Sequence, residues 1–331
     1  MYWLNRNFGL FLLVFLFAFP FSSFAVENEV SKQNLADDDP GDIIPAHVFM
    51  HVTRVHRELD LIRQEMGMPK IGASGILVRD AAPREVFYQA LTLFRKSNRF
   101  SFEQIRIERA EPLTPRGAIY PRHVFAMVDE AMQMIRGVKT HLAIDEVIEQ
   151  PSIDPTLTPS DVFLNIISLN RQLNRMLDKR FAPEDVFQRV SLAIGYSAKL
   201  LAQFPDSKRI PLEEPRQRKK ISGDVFHRLI RSYVLIRNVG IRSGLSMLEM
   251  DVSAIDDNHI VPSDVYDIAS LIVSELAFVH RHIKGSVTPR EVYNPGRKFP
   301  SDVYQRVGIL EAQLQELSDR VGDSASWLSA R

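Results

Sequence analysis

The sequence predicts an all-α protein: a helical repeat array, either a solenoid or a large bundle, of about eight helices joined by long extended linkers. Three observations carry this reading. A five-residue pattern recurs nine times, the apolar residues after it step at helical intervals, and the stretches between copies are long and regular.

The pattern is Pro, any residue, an acid or His, Val, then Phe or Tyr. Copies begin at Pro45, Pro83, Pro121, Pro159, Pro183, Ser222, Pro262, Pro289 and Pro300, with Ser222 the one departure from proline. The valines fall at 48, 86, 124, 162, 186, 225, 265, 292 and 303, at intervals of 38, 38, 38, 24, 39, 40, 27 and 11. A unit near 38 residues dominates, with shortened units in the middle and at the end. That length is similar to tetratricopeptide and Sel1-like repeats, but the Trp-x-x-Leu-Gly-x-x-Tyr positions of the former are absent.

Each copy reads as a helix start. Proline suits the first helical position, where its missing N–H is not needed and its φ is already helical. The acid then falls at the third position, able to bond back to the N-cap and to face the positive end of the helix dipole. Thr158-Pro159-Ser160-Asp161 and Thr288-Pro289-Arg290-Glu291 have full capping-box form. The repeated acid is therefore read as a cap rather than a catalytic group.

Downstream, apolar residues step by four and three. From Val48 they are Val52, Val55, Leu59, Ile62 and Met66; from Val162 they are Ile166, Leu169, Leu173 and Met176. The same steps follow Val124, Val265 and Val303, and, with Ser97, Ser197 and Ser232 interposed, Val86, Val186 and Val225. Each is one face of an amphipathic helix. The short turn 178–182 predicts an antiparallel hairpin of helices 159–178 and 183–203. The other connections, such as 67–82 and 240–261, predict extended segments along the helices. Pieces such as Gln104-Ile105-Arg106-Ile107-Glu108 and Ile76-Leu77-Val78-Arg79 alternate, so pairing into strands is the alternative.

Residues 1–25 read as a secretory signal peptide. Arg6 precedes an apolar run from Phe8 to Phe21, and Ser23 and Ala25 are small residues placed for cleavage before Val26. Residues 26–42 read as a flexible acidic leader, 43–204 as a first half of helical repeats, and 205–220 as a proline-rich basic linker. Residues 221–322 read as a second half and 323–331 as a C-terminal tail. An exported chain without cysteine has no disulfide, thiolate or lipidated cysteine, so a large apolar core is expected to hold it. Hydrophobic residues make up 45% of it, enough for such a core. The periplasm is the expected compartment, with secretion the other destination.

Lys plus Arg and Asp plus Glu balance at 41 each, which argues against a nucleic-acid partner. Lys208, Arg209, Arg216, Arg218, Lys219 and Lys220 form a basic cluster that suits an anionic lipid or cell-wall polymer. His47 and His51 stand four apart on one helix face and are the candidate metal ligands, although His47 occupies the cap position that is acidic elsewhere. No nucleophile elbow, phosphate loop or calcium loop occurs, and no cofactor is expected. The expected function is that of a non-catalytic interaction or scaffold protein of the bacterial cell envelope, offering a helical surface to an envelope protein. The alternatives are a glycan-binding or glycan-processing protein, which needs carboxylates and aromatics in one cleft, and a carrier of a metal or small ligand.

Overall fold

The computed structural model describes residues 43–72, 75–115, 117–322 and 325–328; the segments read above as a signal peptide and an acidic leader lie outside them. Eight α-helices occupy them: α1 (Pro45–Glu65), α2 (Pro83–Ile105), α3 (Pro121–His141), α4 (Pro159–Met176), α5 (Pro183–Leu201), α6 (Ser222–Arg242), α7 (Pro262–Arg281) and α8 (Pro300–Arg320). Each begins at a copy of the pattern. In six, the third-position carboxylate accepts a hydrogen bond from the N-cap amide, as Glu85 does from Ala82 N at 2.9 Å and Asp302 from Phe299 N at 2.9 Å. In α1 and α3 a histidine takes that place, and Nδ1 of His47 and His123 accepts from the N-cap amide at 3.2 and 3.1 Å. Thr158 completes the capping box, its hydroxyl accepting from Asp161 N at 3.4 Å.

The starts of α1, α2, α3 and α4 converge. Their prolines and their valines, Val48, Val86, Val124 and Val162, line one small apolar space. The starts of α5 to α8 converge likewise around Val186, Val225, Val265 and Val303. The fold is therefore two bundles of four parallel helices. In the first, α1 and α2 each pack on α3 and α4; in the second, α5 and α6 each pack on α7 and α8. All eight valines are 2% exposed or less.

Parallel packing explains the unit length. A 21-residue helix is about 31 Å long, and the chain must travel all of it back before the next can start beside it. Fifteen extended residues reach about 50 Å, so linkers such as 106–120 suffice. Helix plus return gives the period near 38. Parallel packing also gathers four positive helix ends, and the repeated acid offsets them.

Residues 177–182 are too few to return, so the chain reverses there and starts the second bundle. The reversal holds, but the expected hairpin does not: α4 packs on α1 and α2, whereas α5 packs on α7 and α8. The division between halves accordingly lies at 177–182 rather than at the basic linker 205–220, which instead runs back along α8.

The eighth copy starts no helix, correcting its reading as a helix start. Pro289 to Tyr293 is irregular, with Val292 66% exposed. Pro295 and Gly296 (φ +92°) follow too closely for a first turn to propagate.

Among the described residues strand pairing is confined to one antiparallel ladder, β1 (Leu77–Arg79) with β2 (Glu249–Asp251). Near the C-terminus Trp327 is buried, stacked 5.8 Å from Phe204 and donating to Ser243 Oγ at 2.9 Å. Among the described residues no helix is long and apolar enough to cross a membrane.

Candidate functional site

The two bundles run in opposite directions and join through α2 and α7. Arg84, at the start of α2, meets Glu275 far along α7, and Lys96 further along α2 meets Ser263 and Asp267 at the start of α7. Both helices are buried on two faces, one toward their own bundle and one toward this seam.

The seam is charged. Lys96 is wholly buried and donates to both oxygens of Asp267, at 2.8 and 3.0 Å, and to Ser263 Oγ at 2.9 Å. Arg84 donates to Glu275 Oε2 at 2.8 Å, pairs with Glu85, and lies 3.6 Å over the Phe278 ring. Burial pushes the Asp267 carboxyl up to about 6 against the pull of Lys96. Burial pushes Glu275 up to about 7, with Arg84 pulling down and Glu85 pushing up. These charges pair across the two helices, which gives the seam a defined register.

A cleft of about 520 Å³ opens beside the seam. Its floor is α7, where Ser270, Ser274 and Ala277 stand on one face and leave room. One wall is α2, with Tyr88, Thr92 and Arg95; the other is α5, with Arg189 and Tyr196. The return linkers supply the rims, Glu111 on one side and Thr288 with Glu291 on the other. Glu111 takes two bonds of 2.7 Å from Arg95. Arg189 donates from Nε to Tyr266 Oη at 3.1 Å and holds Glu291 loosely at 3.8 Å. His280 meets the Tyr196 ring edge-on at 5.4 Å, and burial, aided by Lys199, lowers its pKa. Burial raises the Tyr88 phenol, opposed by Arg281.

The eighth pattern copy forms part of this rim. Pro289 lies against Gly195 of α5, where a Cβ would come within 3.2 Å of the proline ring, and this places Thr288 and Glu291 at the cleft. The copy that fails as a helix start thus serves as a wall.

The basic cluster is strung out rather than gathered. Lys208 N is held by Glu316 and Arg209 O by Gln313 near the end of α8, while Arg216 bonds Asp302 at its start, at 2.6 Å. Lys220 lies 4.3 Å over the Tyr304 ring, and Arg218 and Lys219 are exposed near that same end. His47 and His51 do not converge. His47 caps α1, whereas His51 is buried in a stack on Phe125 at 4.3 Å with Nε2 3.1 Å from Asp129. Among the described residues no three His, Asp or Glu side chains are grouped to hold a metal ion.

The buried charges of the seam lie outside the single apolar stripe that each helix shows in the sequence. The available signal was α7, whose long apolar run is interrupted by Asp267, Ser270, Ser274 and Glu275. Such a helix is buried on more than one face, and its polar residues need partners. Comparisons with known protein families, with curated proteins and with solved structures find no match.

Proposed function

We propose that this chain is an exported, non-catalytic interaction protein of the cell envelope. It holds an envelope protein against the end of its second bundle where the helices start. One observation carries this reading: three N-cap residues ringing that end are apolar and open to solvent, Ile221 59%, Val261 43% and Phe299 48% exposed. An N-cap side chain ordinarily satisfies a helix amide, and Ser, Thr, Asp or Asn is preferred there. Large apolar groups at adjoining N-caps forgo that and make a surface that contact with another protein would cover.

The rim selects the partner. Arg218 and Lys219 are exposed close by, and Arg297 lies 5.0 Å over the Phe299 ring. The N3 acids Asp224, Asp264 and Asp302 are turned inward onto backbone amides. A partner with apolar side chains inside an acidic margin is complementary to this end.

The test is crosslinking in intact cells with a C-terminally tagged chain, followed by mass spectrometry. One envelope protein should recur, and the double variant Ile221→Asp, Phe299→Asp should lose it. Aspartate is a favoured N-cap, so the helices should remain and the far-ultraviolet circular dichroism should not change. Retention of the partner by the variant, or no recurrent partner, overturns the proposal.

A further inference from the structure

The cleft between the bundles stands apart from the end surface just described, and its chemistry points to a different kind of ligand. Its size falls within the range of about 300–1,000 Å³ usual for small-molecule sites. Three features of its lining narrow the class.

The first is a pair of guanidinium groups with donors to spare. Arg189 uses Nε on Tyr266 and reaches Glu291 at 3.8 Å, beyond ordinary hydrogen-bond length. Arg281, exposed at the mouth, has a long contact of 3.4 Å to Gly117 O and bonds the Tyr88 phenol, which engages only part of its five-donor fork. An arginine presents five N–H donors in a fork matched to a carboxylate or phosphate. Arg95 differs, since Glu111 already occupies its fork.

The second is Ser270 on the floor. It is 8% exposed, and its hydroxyl has no hydrogen-bond partner within the protein. A buried hydroxyl left in that state costs about 1–3 kcal/mol, which a ligand hydroxyl would recover. The Tyr88 and Tyr196 phenols, the Thr288 hydroxyl and the Glu291 carboxylate surround the same space.

The third is apolar surface between these polar groups. Leu91, Leu192, Val273 and Ala277 line the cleft with the Tyr196 ring. A ligand with hydroxyls around its edge and C–H groups on its face meets both kinds of surface. A simple anion would leave the apolar part uncovered, and an apolar ligand would strand the arginines.

We infer that this cleft binds a small acidic sugar, its carboxylate held by Arg189 and Arg281 and its hydroxyls by Ser270, Thr288 and Glu291. The ring's C–H face lies on Tyr196 and the leucines. The rim residues belong to the eighth pattern copy, which gives that copy a role its helix-start sequence does not.

The experiment is isothermal titration of the protein with D-glucuronate, D-glucose and acetate. Saturable binding of glucuronate is expected, with glucose and acetate each at least tenfold weaker. Arg281→Gln should weaken glucuronate about tenfold or more, the loss of one charge-assisted contact, and leave glucose unchanged. Arg281 is exposed, so the unfolding midpoint should not move, and that measurement separates lost binding from lost folding. No binding of glucuronate, equal binding of glucose or acetate, or undiminished binding by the variant overturns the inference. Because the end surface and the cleft are tested by different variants and readouts, failure of one leaves the other intact.

Discussion

Within each bundle the four helices meet through aliphatic side chains, Val162, Ile166, Leu169 and Leu173 in α4 for example, each 1% exposed or less. Between the bundles, α2 and α7 meet through Lys96, Asp267, Arg84 and Glu275, equally buried or nearly so. Apolar contacts supply most of the free energy of burial but tolerate sliding, since one methyl replaces another. Paired charges add little net stability, yet a shift of one helical turn would leave each of them without its partner. The bundles are held together internally by area and are set against each other by charge.

The largest effect should come from breaking the seam pair. Lys96→Met keeps an unbranched side chain one atom shorter and leaves Asp267 buried without its cation. It should cost about 3–5 kcal/mol at pH 8, measured by urea unfolding. The cost should shrink on acidification. Asp267 in the folded protein is already raised to about 6, and without Lys96 it would rise further. Below that pH the carboxyl is neutral and its burial is cheaper. A deficit that is the same at pH 5 and pH 8 would show that Asp267 is not the cause.

An interior deletion should be smaller or comparable and without that pH signature. Leu173→Ala, in the core of the first bundle, should cost about 2–5 kcal/mol through lost burial and the cavity left behind. The cost should be equal at pH 5 and pH 8. A marked pH dependence would mean that the two regions are not distinct in the way described.

This contrast also marks what could be read from residues alone. The stripe from Val162 to Met176 is legible because one helix face repeats every three or four positions. The fold class follows from eight such stripes. The charges of the seam lie on a second face of α2 and α7, and a second face has no period of its own to reveal it. Lys96 and Asp267 are 171 residues apart, and nothing local pairs them. Whether the extended linkers return the chain or carry it onward was equally hidden, because the linker lengths permit both. The cleft was further out of reach, since Glu291 and Arg189 come together only after the eighth copy fails to start a helix.

Replacing Glu275 sharpens the comparison from the other side. Glu275→Gln should cost less than about 1.5 kcal/mol near pH 7, because Arg84 keeps Glu85 and the glutamine can still accept from it. The folded Glu275 is raised to about 7 from an ordinary 4.5, so the folded chain binds the proton more tightly than the unfolded one. This group's contribution is full below pH 4.5 and is lost as pH rises through 7. The variant should therefore lose least, or gain, at the alkaline end. A large deficit that grows above pH 7 would mean that the ionised Glu275–Arg84 pair is the stabilising state.

The smallest expected effect separates the two bundle ends. The second bundle meets its four helix dipoles with Asp185, Asp224, Asp264 and Asp302, the first with Glu85, Asp161 and two histidines. Nδ1 of His123 accepts the Tyr120 amide only while it carries no proton. Burial, with Arg122 beside it, lowers its pKa below 6.5, so the folded protein favours the neutral ring. The stability this confers is present above pH 6.5 and is lost as pH falls through the folded value. Below that point the first bundle gathers added positive charge at four positive helix ends. His123→Asp makes this position match the second bundle. It should raise stability at pH 5 by about 0.3–1 kcal/mol through the dipole and change it less at pH 8. Chemical denaturation at the two pH values would show this as a difference in midpoint shift. Equal shifts would mean that the gain comes from the carboxylate alone and that protonation of His123 contributes nothing.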